Sequence, residues 1–148
     1  MEKTKIKIHF LNEKAQMPSC GSATSAGYDL YSICDESVLI MPHDTIKMKT
    51  GIAMEIPDGY FGAVFARSGI ATKRGLRPAN CTGVIDSDYR GEIMVAIHND
   101  TNQIQCVEPG ERIAQLVIMP YLSVEFEESD SLSQTDRGNG GFGSTGTT

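Results

Sequence analysis

The sequence predicts an all-β fold, an antiparallel β-sandwich, jelly roll or barrel with at most one short helix. Three observations predict it. Apolar residues recur with a period of two, turn chemistry interrupts them at short intervals, and no long stretch carries helical spacing.

In chain order, Ile6, Ile8 and Phe10 alternate with Lys5, Lys7 and His9, so one face of this first segment is expected to be buried. Ile46 and Met48 alternate with Lys47 and Lys49, and Ile52, Met54 and Ile56 alternate with Ala53 and Glu55. The apolar stretch Tyr60 to Phe65 reads as a buried strand. Ser68 to Lys73 is the one place where a turn or two of helix fits. Val84 and Ile85 end another apolar strand, and Ile93 to Ile97 and the run after Gly110 supply two more. Pro42-His43-Asp44, Pro57-Asp58-Gly59, Asn99-Asp100 and Pro109-Gly110 punctuate the series as turns.

The chain has 148 residues and 16.1 kDa, enough for one domain with its own core. We expect a β-sandwich core over residues 1–127 and a mobile glycine-rich arm over 128–148 that closes over the site. Several classes drop out. Net charge is −6 and aromatics are 7% without Trp, so neither a basic nucleic-acid face nor a membrane-surface patch is expected. The longest apolar run, Ile93 to Ile97, is five residues, far short of a membrane span. The lysine-dotted N-terminus lacks the apolar core of a signal peptide, so a cytoplasmic protein is expected. Cys20, Cys34, Cys81 and Cys106 lie 14, 47 and 25 residues apart. No CxxC pair exists, and free, mostly buried thiols are expected. His9, His43 and His98 lack metal-ligand spacing.

Composition shifts near the C-terminus. Glu125 to Asp136 holds five acidic residues and no basic one, and residues 138–146 then hold five of the chain's 15 glycines. Such a run packs no core, but its backbone N–H groups, with the hydroxyls of Ser144 and Thr145, can wrap an anion. Gly141, Gly143 and Gly146 spell GxGxxG. The match is false, because neither a helix nor a βαβ unit follows it.

The densest polar cluster is Gly83 to Glu92. Read as a calcium loop it fails, since Arg90 takes a ligand position and Ile97 stands where a bidentate Glu belongs. Asp86 closes an apolar strand, which is expected to hold its carboxylate firmly. Arg67-Ser68-Gly69 follows a buried strand and offers a guanidinium fork, a hydroxyl and an approachable backbone to phosphate oxygens, or an arginine for a nearby carboxylate. Lys73, Arg74 and Arg77 read as a solvated basic turn. Gln115, polar within an apolar run, must serve either a backbone group or a ligand.

Taken together, Ala26 to Ser32, Arg67-Ser68-Gly69, Asn80 with Gly83 to Glu92, Gly110 to Gln115, and Arg137 to Gly146 resemble, in order, the five motifs of the trimeric deoxyuridine triphosphatase (dUTPase) family. Ala66 departs from the pattern, which commonly has Pro before the Arg-Ser-Gly. The resemblance implies a jelly-roll homotrimer with shared sites. It also implies hydrolysis of dUTP to dUMP and pyrophosphate with Mg²⁺, an activity that limits uracil in DNA and supplies dUMP for dTMP synthesis. Residue by residue, it makes Asp86 the general base for water attack on the α-phosphate and Tyr89 the ring that packs under deoxyribose. Asn80 and backbone groups of the motif's hairpin near Gly83 and Met94 become uracil readers. Arg67, Ser68, Gly69 and Gln115 become phosphate binders. In the last motif Phe142 becomes the lid on uracil, and Arg137, Gly143, Ser144 and Thr145 the γ-phosphate grip. Asp29 becomes an indirect metal contact through water. A dCTP deaminase relative would need a Glu-centred site aimed at the pyrimidine, and a binding regulator would have lost Asp86 or the arm. A purely structural jelly roll leaves the glycine run without a reason.

Overall fold

The structure, a computed structural model, describes residues 4–141. The fold is nearly all β, as expected: the described residues form eleven strands and one helix, with every strand pairing antiparallel. The strands are β1 (Lys7–Phe10), β2 (Tyr28–Tyr31), β3 (Val38–Ile40), β4 (Thr45–Lys49), β5 (Ile52–Glu55), β6 (Tyr60–Phe65), β7 (Leu76–Pro78), β8 (Thr82–Ile85), β9 (Met94–Asn99), β10 (Gln105–Val107) and β11 (Arg112–Pro120). They form a four-stranded sheet in the order β2-β11-β6-β8, a three-stranded sheet β4-β9-β7, and the ribbons β1-β5 and β10-β3.

One core joins these sheets. Leu30, Ile40, Ile52, Leu76, Ile93, Ile97, Val107 and Ile113 are each at most 1% exposed and come from all four assemblies and the loop before β9. Each such side chain contributes roughly 1.5–3 kcal/mol of transfer free energy. Buried polar groups are satisfied: Thr50 Oγ1 donates to the Ile93 carbonyl at 2.5 Å and Ser32 Oγ to the Glu108 carbonyl at 2.7 Å. Asn99 is fully buried, and its amide donates to the carbonyls of Ile40, Met41 and Gln103 at 2.8–3.1 Å. It therefore knits β9 to β3 and to the loop before β10.

The expected turns form where φ is fixed. His43 sits at φ 60° and Gly59 at φ 82°, and the amides of Asp44 and Tyr60 close back onto the carbonyls of Met41 and Pro57. The helix α1 spans Ser68–Arg74 and ends on Gly75, whose φ of 62° lets its amide reach the carbonyls of Ala71 and Ile70.

Some expectations need correcting. β1 lacks a fully buried face, with Phe10 46% exposed, because it pairs only with β5. In β5, Ala53 is buried along with Ile52 and Met54, so this strand is covered on both faces and alternation breaks. None of the four free thiols is buried: Cys20 and Cys81 are exposed and the other two intermediate. Arg74 and Arg77 are no solvated turn. Arg74 pairs with Glu111 and donates to the Cys106 carbonyl, while Arg77 forks onto Asp100 at 2.6 and 3.0 Å.

β11 is the last strand among the described residues. From Tyr121 to Asn139 every residue is exposed, including Leu122 at 83%, Phe126 at 93% and Leu132 at 89%. Among the described residues no helix is long and apolar enough to cross a membrane.

Candidate functional site

Register places the candidate residues in two groups on the β2-β11-β6-β8 sheet. Gln115 on β11 lies opposite Asp29 on β2 and Phe65 on β6, so the ends of three strands converge. There the Asp29 carboxylate, 16% exposed, holds two arginines: Arg67 Nε at 2.7 Å on Oδ1 and Arg112 Nη1 at 3.2 Å on Oδ2. Gln115 donates from Nε2 to the Ala66 carbonyl at 2.9 Å, fixing the chain one residue before Arg67. On its other side Gln115 packs against Gly27, where a Cβ would collide with the amide. Of the two options open to Gln115, it thus serves a backbone. The Arg67 Nη atoms and the Ser68 hydroxyl have no partner among the described residues, and Ser68 and Gly69 are exposed; the Ser68 carbonyl accepts the Thr72 hydroxyl at 2.7 Å.

Asp86 lies at the other end of that sheet. Ile85 pairs with Gly62, which sets Asp86 opposite Phe61, six positions before Arg67. At about 3.3 Å per residue this is roughly 20 Å along the strand. Within one copy Asp86 and Arg67 cannot reach the same phosphate. Asp86 sits in an open depression of about 620 Å³ lined by Phe61, Val84, Asp86, Ser87, Asp88 and Tyr121. Its carboxylate, expected to be held firmly, is exposed and accepts no hydrogen bond among the described residues; the strand fixes its backbone only.

The loop after Asp86 is tightly built. The Tyr89 amide donates to the Asp86 carbonyl at 3.2 Å, Tyr89 Oη to the Glu92 carbonyl at 3.0 Å, and Arg90 Nη1 to the Ser87 carbonyl at 2.6 Å. Glu92 Oε1 accepts from the Gly51 amide at 2.9 Å, which ties the loop to the body.

β8 and β9 do not pair as a hairpin: β8 belongs with β6, and β9 with β4 and β7. β7 covers only Ile97 to Asn99. The β7-side edge of Met94 and Val95 is therefore left without a strand where β8 peels away, and Gly83 is the second residue of that diverging strand. Asn80 stands exposed at the tip of the β7–β8 turn, made tight by Cys81 at φ 62°. Separated strands with free backbone donors and acceptors suit a flat heterocycle better than a closed hairpin would.

Arg137 is exposed, its Nε donating to the Gly140 carbonyl at 2.9 Å. Phe142, Gly143, Ser144 and Thr145 lie outside the described residues. Among the described residues no cluster of three or more His, Cys, Asp or Glu could hold a metal, and two guanidinium groups already neutralise Asp29. This donor set fits a divalent cation carried by phosphates, and not one caged by protein. Arg112, Gly91 and Glu92 lie inside motifs that the sequence singles out, but it assigns them no individual role; their partners Asp29, Tyr89 and Gly51 are visible only once register and loop path are known.

The dUTPase family pattern matches residues 13–146. The chain belongs to the dUTPase family. The deoxyuridine 5'-triphosphate nucleotidohydrolase of Desulfitobacterium hafniense (strain DSM 10664 / DCB-2) is 47% identical over 149 residues, covering 99% of each chain. Among solved structures, a variant of the Staphylococcus bacteriophage 80alpha dUTPase with dUpNHpp superposes with a TM-score of 0.87 at 32% identity, over 98% of this chain and 100% of that one. A variant of the dUTPase from phage phi11 of S. aureus, described with a structural Mg(II) ion, matches at a TM-score of 0.76 and 28% identity, over 86% and 98% of the two chains.

Proposed function

We propose that this dUTPase-family chain hydrolyses dUTP to dUMP and pyrophosphate at sites shared between copies of a cytoplasmic homotrimer. The observation that carries the reading is Asp86, whose carboxylate has no partner among the described residues and whose backbone is held by a hydrogen-bonded turn to Tyr89, roughly 20 Å from the arginine-rich end of its own sheet.

Water oxygen attacks the α-phosphorus, Asp86 takes the water's proton, and the bond to the bridging oxygen breaks, so that pyrophosphate leaves in line. Such positioned general bases contribute about 10²–10⁴ in rate, and the rest comes from charge stabilisation. Arg67, Ser68 and Gly69, held in place by Asp29 and Gln115, bind phosphate oxygens. Because Asp86 and Arg67 are too far apart in one copy, each site takes Asp86 from one copy and Arg67 from the next. A Mg²⁺ carried on the triphosphate would supply charge neutralisation, and Asp29 would contribute to holding it only indirectly, through water.

Tyr89 packs under the deoxyribose and excludes a 2′-hydroxyl. Asn80 and the backbone at Gly83 and Met94 read uracil in the gap between β8 and β9. Rigid backbone suits that task, because a soft pocket rejects one methyl by only ~10–200-fold. The arm 128–148 crosses to a neighbouring site, where Arg137, Gly143, Ser144 and Thr145 grip the γ-phosphate and Phe142 covers the base. The exposed Leu122, Val124 and Phe126 just before it support a path over a second copy. No partner beyond these nucleotides, pyrophosphate and its own copies is proposed, neither membrane nor nucleic acid.

The test is pyrophosphate release from dUTP, dCTP and dTTP by the wild type and Asp86→Asn. Release from dUTP alone, lost by about 10²-fold or more in the variant, is expected. No release from dUTP, or ammonia from dCTP, would replace the reading.

A further inference from the structure

We infer that Gly91 is a specificity-determining position, the seat that fixes the Tyr89 ring and thereby the enzyme's rejection of ribonucleotides; this rests on the reading of Tyr89 as the sugar-contacting ring. A Cβ built on Gly91 would collide with the Tyr89 hydroxyl and stand 2.6 Å from Cζ, closer than real Cβ atoms come, with Cε2 at a tight 3.0 Å. The ring therefore lies directly on the Gly91 backbone.

The requirement is one of space alone. Gly91 is absent from the residues at positive φ, whereas Gly51, Gly59, Gly75 and Gly110 need that region. Alanine is thus compatible with the backbone at 91, and what it meets is the ring. The ring in turn has little freedom. Its hydroxyl is tethered to the Glu92 carbonyl at 3.0 Å, its amide to the Asp86 carbonyl at 3.2 Å, and Glu92 to the Gly51 amide at 2.9 Å. Tyr89 remains 42% exposed: its hydroxyl end, with Cζ and Cε2, rests on Gly91, and the exposed remainder is open to a sugar. A methyl at 91 displaces that end of the ring and breaks the tether that sets its position.

Gly91 acts through Tyr89 and so is a positioning residue. Its signature is a change in the ratio of kcat/KM for dUTP to that for UTP, because sterics against one added hydroxyl are worth only ~10² and depend on an unyielding wall. A merely structural glycine would lower turnover of both nucleotides alike.

The experiment measures kcat/KM for dUTP and UTP in wild type, Gly91→Ala, Tyr89→Phe, Tyr89→Ala and the double variant Tyr89→Ala/Gly91→Ala, with thermal melts as a folding check. Wild-type turnover of dUTP, lost in Asp86→Asn, tests the proposed activity separately. Gly91→Ala is expected to reduce the dUTP/UTP ratio about 10-fold, and to leave the ratio of Tyr89→Ala unchanged when added to it. Tyr89→Phe, which keeps the ring but cuts the tether, is expected to lower the ratio a few-fold. An unchanged ratio in folded Gly91→Ala, or an equal drop with and without the tyrosine ring, overturns the inference. Should Gly91→Ala fail to fold, Tyr89→Phe decides: a lowered ratio supports the seat and an unchanged one overturns it.

Discussion

Asp29 organises the end of the sheet proposed to meet phosphates, with both carboxylate oxygens on arginines, Arg67 at 2.7 Å and Arg112 at 3.2 Å. An arginine proposed to meet phosphates needs a fixed pose, and the Asp29 carboxylate, reaching across from β2 with β11 between, holds its Nε while its Nη atoms have no partner among the described residues. Asp29→Ala is expected to raise KM for dUTP about 10-fold and to cost about 1.5–3 kcal/mol of stability, read by steady-state kinetics and denaturant unfolding. An unchanged KM would show that Arg67 holds its pose unaided. Residue identities such as Asp86, Arg67 and Gln115 were legible in the chain because short motifs carry them. Arg112 was not, since its meaning lies in the cross-strand pairing that brings it to Asp29, 83 positions away.

Among the elements, the strands that periodicity revealed are the long ones with one wet face, such as β4, or those rich in apolar residues, such as β6, β9 and β11. β3, β7 and β10 are three residues each, too short to show a period. Tertiary partners make them strands: β7 exists because β9 offers it an edge, and Asn99 stitches β3 nearby. The β7–β9 edge also carries a titratable pair. The Arg77 guanidinium hydrogen-bonds Asp100 and holds its carboxyl below the usual range. A carboxyl lowered on folding adds stability at pH above its unfolded value of about 3.9, and that stability fades as pH falls through the folded value. Asp100→Asn should therefore lower the melting temperature at pH 7, by an amount that shrinks as pH falls through the folded-state value. A loss that does not change with pH would mean that the pair contributes through packing, not charge.

For the whole molecule, the two ends of one sheet cannot close a single site, and the chain leaves its body after Pro120 with large apolar side chains exposed. Both features make sense in an assembly whose sites lie between copies. Truncation after Asp136 removes Arg137 and the residues beyond it, and is expected to lower kcat/KM for dUTP by at least about 10²-fold without changing the melt of the folded body. Full activity in the truncated protein would assign the phosphate grip elsewhere. Net charge of −6 is compatible with the proposed triphosphate site, since a few placed groups such as Arg67 and Arg137 would act locally. The sharing of sites is tested most directly by mixing two inactive variants, Asp86→Asn and Arg67→Ala, under conditions where subunits exchange. If each site joins Asp86 of one copy to Arg67 of the next, an equal mixture recovers about one quarter of wild-type dUTP hydrolysis, because that fraction of junctions carries both intact residues. Mixed oligomers that stay inactive would place the whole site within one chain and contradict the account.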